Sequence, residues 1–432
     1  MKRYPLMLGL RLFSSSSRLS RYLKSAVLGI GLSLVPLIVV LEVADGMIEG
    51  ITRRYVELGT YHLQALLPER EAAPLSLLEK LESAPNVRLA LTERQGLGLL
   101  YTAGSRLGVT IRAVPSSLYA RDADFRRYLT LDTGSFTLEN ASDILLGREV
   151  AERLGAGPGD EVKLLTTVML PGRSPVPRVT RFTVRGVFSS GYQELDKLWV
   201  YIPLTTGRRI LRGEGTSEFV AIKVTDPYRR LSQQVTALRR LLPPGTRIYT
   251  WYQLEKANYK SFQTTKALLV FIMAMIVVVA AFNISSSLVM VVLEKSQEIA
   301  ILKAMGAHPA EIRATFVVTG FVTGLAGVLV GLFLGILVAM NINELIVGLE
   351  KFLNLLLACW TRLISSFIAP GKPRPEITLF NSAFYLERIP IRLQLFELFL
   401  VSAHTLLLST LAALLPARRA GKMSPLEILR RV

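Results

Sequence analysis

Three histidines and one cysteine, His62, His308, His404 and Cys359, are the side chains of this 432-residue sequence best suited to metal, acid–base or nucleophilic chemistry. Their spacing assembles none of it. Long apolar runs separate the histidines into three compartments, so they build neither a metal site nor a proton-sharing pair. His404 lies within an apolar run, where an ionisable group is costly enough to suggest function; one hydrogen bond to a neighbouring helix explains it more simply. Cys359, in "NLLLACWTRL", reads as a buried apolar thiol, and a single cysteine excludes any disulfide within the chain. The turn in "ILLGREVAERLGAGPGDEVKLL" is glycine-rich, but no Gly-Lys-Ser or Gly-Lys-Thr occurs anywhere, so it is no phosphate loop. The chain is expected to be no enzyme, to have no catalytic residue or metal, and to bind no cofactor itself. What remains is recognition, centred on "LEKSQEIAILKAMGAHPAEI", a short charged segment between two apolar runs.

The elements around it follow from hydropathy. Half of the residues are hydrophobic and mean hydropathy is +0.39, too apolar for an ordinary soluble protein. Runs at 25–43, 265–293, 314–341 and 395–415 are each long enough to cross a bilayer. The expected fold is an α-helical membrane protein with four transmembrane helices and a large mixed α/β extracytoplasmic domain, 44–264, between the first and second. The remaining segments are a cytoplasmic N-terminal stretch, 1–24, a cytoplasmic helix and loop, 294–313, an external loop with an amphipathic segment, 342–394, and a cytoplasmic tail, 416–432. Lys2, Arg3, Arg11, Arg18, Arg21 and Lys24 before the first run, and Arg418, Arg419, Lys422, Arg430 and Arg431 after the last, put both termini in the cytoplasm. The net charge of +18 is assigned to anionic lipid at the span ends rather than to nucleic acid. Glu42, two places before Ala44, spoils a signal-peptidase site, so the first span is read as a retained anchor.

Within the spans, Gly320, Gly324, Gly327, Gly331 and Gly335 recur every three or four residues. That spacing stacks them on one helix face and predicts a close helix–helix seam. Asn283 in "AAFNISSSL" reads as a further interhelical contact. The inserted domain reads as strands such as "DEVKLLTTV", "RVTRFTVRGVF" and "KLWVYIPL" separated by turn-rich stretches.

The string "AAFNISSSLVMVVLEKSQEIAILKAMGAHPAEIRATFVVTGFVTGLAGVLVGLFLG", with "LGLRLF", "GVFSSGYQELDKLWVYIPL", "FYLERIPIRL" and "LLPARRAGKMSPLEILR", resembles the LolC/LolE family of lipoprotein-releasing ABC transporter permeases, within the wider FtsX-like and MacB-like group. The resemblance implies a permease of the bacterial inner membrane that passes lipoproteins to a periplasmic carrier. ATP and Mg would be bound by a separate LolD-like ATPase dimer, and a second permease subunit and a LolA-like carrier complete the set of partners. It makes Glu294, Lys295, Glu298, Ile299, Leu302, Lys303 and Gly306 a coupling helix that docks on the ATPase, with Ile299 and Leu302 on its apolar face. It makes the proline-rich loop with Met169, Pro171, Pro175, Val176, Pro177 and Arg178 a hook for the carrier. It places a lipoprotein cavity at Leu41, Val43, Met47, Phe262, Leu268 and Phe271. The sequence departs from the family pattern at Thr265-Lys266 and Ala44-Asp45, beside that cavity. A MacB-like exporter subunit and an FtsX-like regulator of a cell-wall hydrolase are the alternatives; the first usually carries its ATPase on the same chain, and the second usually has a much smaller external domain.

Overall fold

The computed structural model describes residues 18–68, 73–168, 176–213, 215–228, 231–364 and 390–423. They form two compact units, a helical one from residues up to Gly46 and from Phe262 onward, and an α/β one built from Met47–Ser261.

The helical unit contains α1 (Arg18–Arg54), α2 (Lys256–Glu294), α3 (Ser296–Ala304), α4 (Pro309–Met340), α5 (Ile342–Ile364), α6 (Leu395–Ala412) and α7 (Leu414–Lys422). Among the described residues, four helical stretches are long and apolar enough to cross a membrane: Tyr22–Thr60, Lys256–Glu294, Pro309–Met340 and Leu395–Lys422. Both helices that flank the α/β unit outrun their apolar segments. α1 continues to Arg54 and widens into a π-helical turn, Tyr55–Thr60, while α2 begins nine residues before position 265.

The bundle closes on α4. A methyl group placed on Gly320 or Gly324 would stand 2.3 Å from Ala413 Cβ or 2.0 Å from Ser409 Oγ. Placed on Gly327, Gly331 or Gly335, it would meet Ile30, Leu34 or Ile38 of α1 at 2.7–2.8 Å. Only hydrogen fits at these positions, which lets α4 lie against two different neighbours along one face. Thr315, Thr319 and Thr323 run beside the glycines, all buried, each donating its hydroxyl to the carbonyl four residues earlier at 3.0, 2.9 and 2.8 Å. The polar atoms are thus satisfied within the helix and ask nothing of lipid.

Ten strands form one mixed sheet in the α/β unit: β1 (Leu63–Leu66), β2 (Val87–Tyr101), β3 (Arg106–Val114), β4 (Thr130–Gly134), β5 (Asp143–Gly147), β6 (Glu161–Val168), β7 (Val176–Ser189), β8 (Trp199–Pro203), β9 (Ser217–Val224) and β10 (Arg247–Thr250). Their order is β10-β1-β9-β2-β3-β8-β5-β7-β4, with β6 pairing to β2 and β7. β5 and β8 are buried throughout, and β6 alternates exposed with buried residues as a half-covered strand should. Helices Arg148–Leu154 and Leu204–Ile210 complete a core around Ile111, Leu146, Leu164 and Val200; Leu75–Glu82 and Leu231–Arg239 complete a second around Ala90 and Ile222.

Candidate functional surfaces

The histidines take separate structural duties. His62 Nδ1 accepts the Val224 N–H at 2.8 Å, so the ring proton sits on Nε2 and is donated to Glu57 Oε1 at 3.1 Å. His308 caps α4, its Nδ1 accepting from Ala310 N at 3.2 Å while Glu311 closes the reciprocal bond. His404 is exposed on α6. The Cys359 side chain lies outside the described residues, and among the described residues no group of three or more His, Cys, Asp or Glu is placed to hold a metal.

Most of the segment expected to be a coupling helix forms α3, and Gly306, at φ +96°, takes the left-handed conformation that ends it, with Ala307 N bonded to Leu302 O at 3.0 Å. Its inward face corrects the sequence reading. Ile299 is buried and Leu302 half-buried in a cluster with Leu23, Ile312 and Ala417 of their own bundle, so neither is free to meet another protein. Lys303 is also turned inward, donating to the carbonyls of Gly421 and Met423 at the end of α7. The outward face presents Glu294, Gln297, Glu298, Ile301 and Met305, the last two 50% and 79% exposed; Lys295 pairs with Glu298. α3 is apolar on two faces, so apolar spacing alone could not say which faced the bundle. The cue lay outside the helix, in the apolar Leu23 and Ala417 positions that α3 packs on.

Antiparallel β6 and β7 pair from Glu161↔Thr183 to Val168↔Val176, leaving residues 169–175 to connect them. Met169, Pro171 and Pro175 of the expected hook lie outside the described residues. Val176, Pro177 and Arg178 are exposed at the start of β7, with Val179 exposed one residue further on.

The six cavity candidates differ in exposure. Leu41 is buried in the bundle core with Ile38, Val277 and Leu398, whereas Leu268 and Phe271 are more than half exposed on α2. Val43 and Phe262 are half-buried in the helical unit, and Met47, also half-buried, belongs to the α/β unit. Asn283, expected between helices, is exposed on α2, its amide nitrogen 3.4 Å from where a Gly29 methyl group would stand. The five glycines are all buried.

Between these positions the sequence reading missed a polar cluster. Lys266 Nζ lies 2.5 Å from Asp45 Oδ1 and 3.0 Å from Glu397 Oε1, joining α2, α1 and α6. A lone lysine at the head of an apolar run was the available signal.

A second network fixes the π-turn that ends the first long helical stretch. Arg112, 1% exposed, bonds both Glu93 oxygens at 2.7 and 2.9 Å and donates to the carbonyls of Leu58 and Gly59 at 2.5 and 2.9 Å. Its guanidinium lies 4.3 Å from the centre of the Trp199 ring. The carboxylate beside it holds the Arg112 charge more firmly still, raising its pKa despite full burial, while burial pushes the Tyr201 phenol up. Lys223 adds ion pairs to Glu57 at 2.8 Å and Asp122 at 2.6 Å.

Two family models match consecutive parts of the chain: a MacB-like periplasmic core domain over residues 25–238 and an FtsX-like permease C-terminal model over 270–425. The lipoprotein-releasing system transmembrane protein LolC of Neisseria meningitidis is 26% identical over 94% of this chain and 93% of its own length. LolC and LolE of Haemophilus influenzae are 26% and 24% identical over 96% and 94% of this chain, and 95% and 93% of theirs. The chain is similar to the LolC and LolE proteins along nearly its whole length. Among solved structures, the periplasmic region of MacB from Actinobacillus actinomycetemcomitans aligns with a TM-score of 0.31 and 13% identity, covering 47% of this chain and 94% of that one. The core-domain match takes in much of α1 and most of the α/β unit, and α3 lies within the FtsX-like match. The chain is a multi-pass membrane permease.

Proposed function

We propose that this chain is the permease of an ABC transporter that lifts lipoproteins out of the bacterial inner membrane and passes them to a soluble periplasmic carrier. The observation that carries the reading is an alignment at 26% identity over 94% of the chain with a protein named for lipoprotein release, spanning the helical and the α/β unit alike. Physical chemistry states what such a machine must do. Drawing one acyl chain of roughly 14 methylenes into water costs on the order of 11 kcal/mol at about 0.8 kcal/mol each. ATP bound with Mg on a separate LolD-like ATPase dimer supplies the work, a second permease of the same or related sequence completes the membrane part, and a LolA-like carrier takes the product. α3 and its flanking residues meet the ATPase through Glu294, Gln297, Glu298, Ile301 and Met305. Its ends, with the basic termini, lie in the cytoplasm and the α/β unit in the periplasm.

Proteoliposomes holding the chain with its ATPase and a radiolabelled lipoprotein test the reading. ATP together with the carrier should move label into the soluble fraction. Retention of all label, with ATP hydrolysis intact, would turn the assignment toward a MacB-like exporter or an FtsX-like regulator.

A further inference from the structure

Where α4 begins and α7 ends, Pro309, Arg313, Arg418, Gly421 and Lys422 line a cleft of about 440 Å³ within the helical unit. Three of the five are exposed cations, and among the described residues none of the three has a hydrogen-bond or ion-pair partner. The polar groups beside them are already engaged. Glu311 closes the cap of α4 by accepting from His308 N at 3.3 Å, and Lys303 donates to the Gly421 and Met423 carbonyls. Lys303 thus already serves the carbonyl end of α7, the usual duty of a cation at that place.

The position of Arg313 is built into the fold. A methyl group on Gly421 would stand 2.7 Å from Arg313 Cγ and 3.1 Å from its Cδ, so the bare backbone there is what lets the arginine stem lie across α7. Its charge then joins those of Arg418 and Lys422, which are four residues apart on α7, a spacing at which like charges repel. A cleft that gathers three like charges and supplies no acid is complementary to an anion.

The neighbouring side chains narrow the chemistry of that anion. Stepping back from Arg418 by three and then by four residues come Leu415, Leu411 and Leu407, each at least 49% exposed. Ala413, which joins α6 to α7, has helical backbone angles, so leucines and cations share one stripe. The stripe belongs to the apolar stretch Leu395–Lys422, whose exposed leucines face acyl chains. An apolar body ending in a phosphate matches both parts, since guanidinium groups pair with two phosphate oxygens at once, and basic pockets between spans suit phospholipid headgroups.

We infer that the cleft binds the phosphate headgroup of an anionic phospholipid, held by Arg313, Arg418 and Lys422, with the acyl chains along Leu415 and Leu411. The site stands whether or not the chain releases lipoproteins.

Native mass spectrometry of the full chain in detergent, titrated with phosphatidylglycerol or phosphatidylcholine, tests the site. Phosphatidylglycerol should be retained at least ~10-fold more tightly, and Arg418→Gln should remove most of that preference, the scale of a charge-assisted hydrogen bond. Arg419→Gln is the control, because Arg419 is exposed on the same helix but does not line the cleft; it should change retention by less than ~2-fold. Arg313→Gln, exposed on α4, carries the readout of Arg418→Gln from the opposite wall. Equal losses in the Arg418 and Arg419 variants would overturn the site in favour of diffuse surface charge. Displacement of phosphatidylglycerol by inorganic phosphate would overturn the lipid assignment in favour of a free anion. Its displacement by the ATPase would overturn it in favour of an acidic surface on that subunit.

Discussion

Lys303 in α3 reaches Gly421 at the end of α7, its ammonium donating to that carbonyl at 2.9 Å and to the Met423 carbonyl at 2.6 Å. The last carbonyls of a helix have no partner within it, and a cation there satisfies both hydrogen bonding and the helix dipole. α3 and α7 are thereby fastened to each other.

Lys303→Met should loosen this fastening by about 1.5–3 kcal/mol, the range for hydrogen bonds to a charged group. Hydrogen exchange should quicken in residues 414–423 while the α/β unit keeps its protection. Unchanged exchange would show that apolar packing alone holds α7.

Ile301→Asp with Met305→Asp should abolish co-purification with the ATPase and ATP-driven release without lowering the amount of inserted protein, because both side chains already face outward. Ile299→Asp should instead reduce the inserted protein itself, since it buries a charge in the bundle. Normal co-purification of the first variant would move the docking face elsewhere.

How far the sequence could be read depended on whether one segment or several decided each feature. The glycine file was legible because its spacing is internal to one helix, and the four apolar runs because bilayer thickness sets their length. The orientation of α3 was not, since Ile299 and Ile301 are equally apolar and residues of other helices, Leu23, Ile312 and Ala417 among them, choose between them. The Asp45–Lys266–Glu397 cluster was hidden for the same reason: its members come from three helices.

Gly324→Ala should lower the stability of the inserted bundle by about 1–3 kcal/mol, the usual cost of forcing a methyl group into filled space, here 2.0 Å from Ser409 Oγ. Gly348→Ala, with nothing within 4 Å, is the matched control and should be neutral or slightly stabilising. Denaturation in detergent, followed by tryptophan fluorescence, compares the two; equal midpoints would refute the seam.

Arg112→Met alone should cost the α/β unit about 3–5 kcal/mol by leaving Glu93 charged and buried. Adding Glu93→Leu should recover much of the loss, although the Leu58 and Gly59 carbonyls then lack their donor. Thermal unfolding of the full chain in detergent reads both variants. A double variant no better than the single one would mean that the carbonyl bonds, rather than the ion pair, are what Arg112 provides.

Replacing residues 169–175 with a short Gly-Ser turn should leave the β6–β7 pairing intact, because the register from Glu161 to Val168 is made by the strands themselves. ATP hydrolysis should persist and transfer to the carrier should fail, measured with radiolabelled lipoprotein. Normal transfer would remove the hook from the mechanism.

The glycine file of α4 has a mechanical consequence. Interdigitated leucines can take up a small displacement by changing rotamer, but a backbone pressed directly on Ile30, Leu34 and Ile38 at one end, and on Ser409 and Ala413 at the other, has no rotamers to change. Such a helix behaves as a rod gripped by two jaws rather than as a cushion between them. α1 and α6, which do not adjoin in sequence, are thereby held at one spacing by a single helix between them.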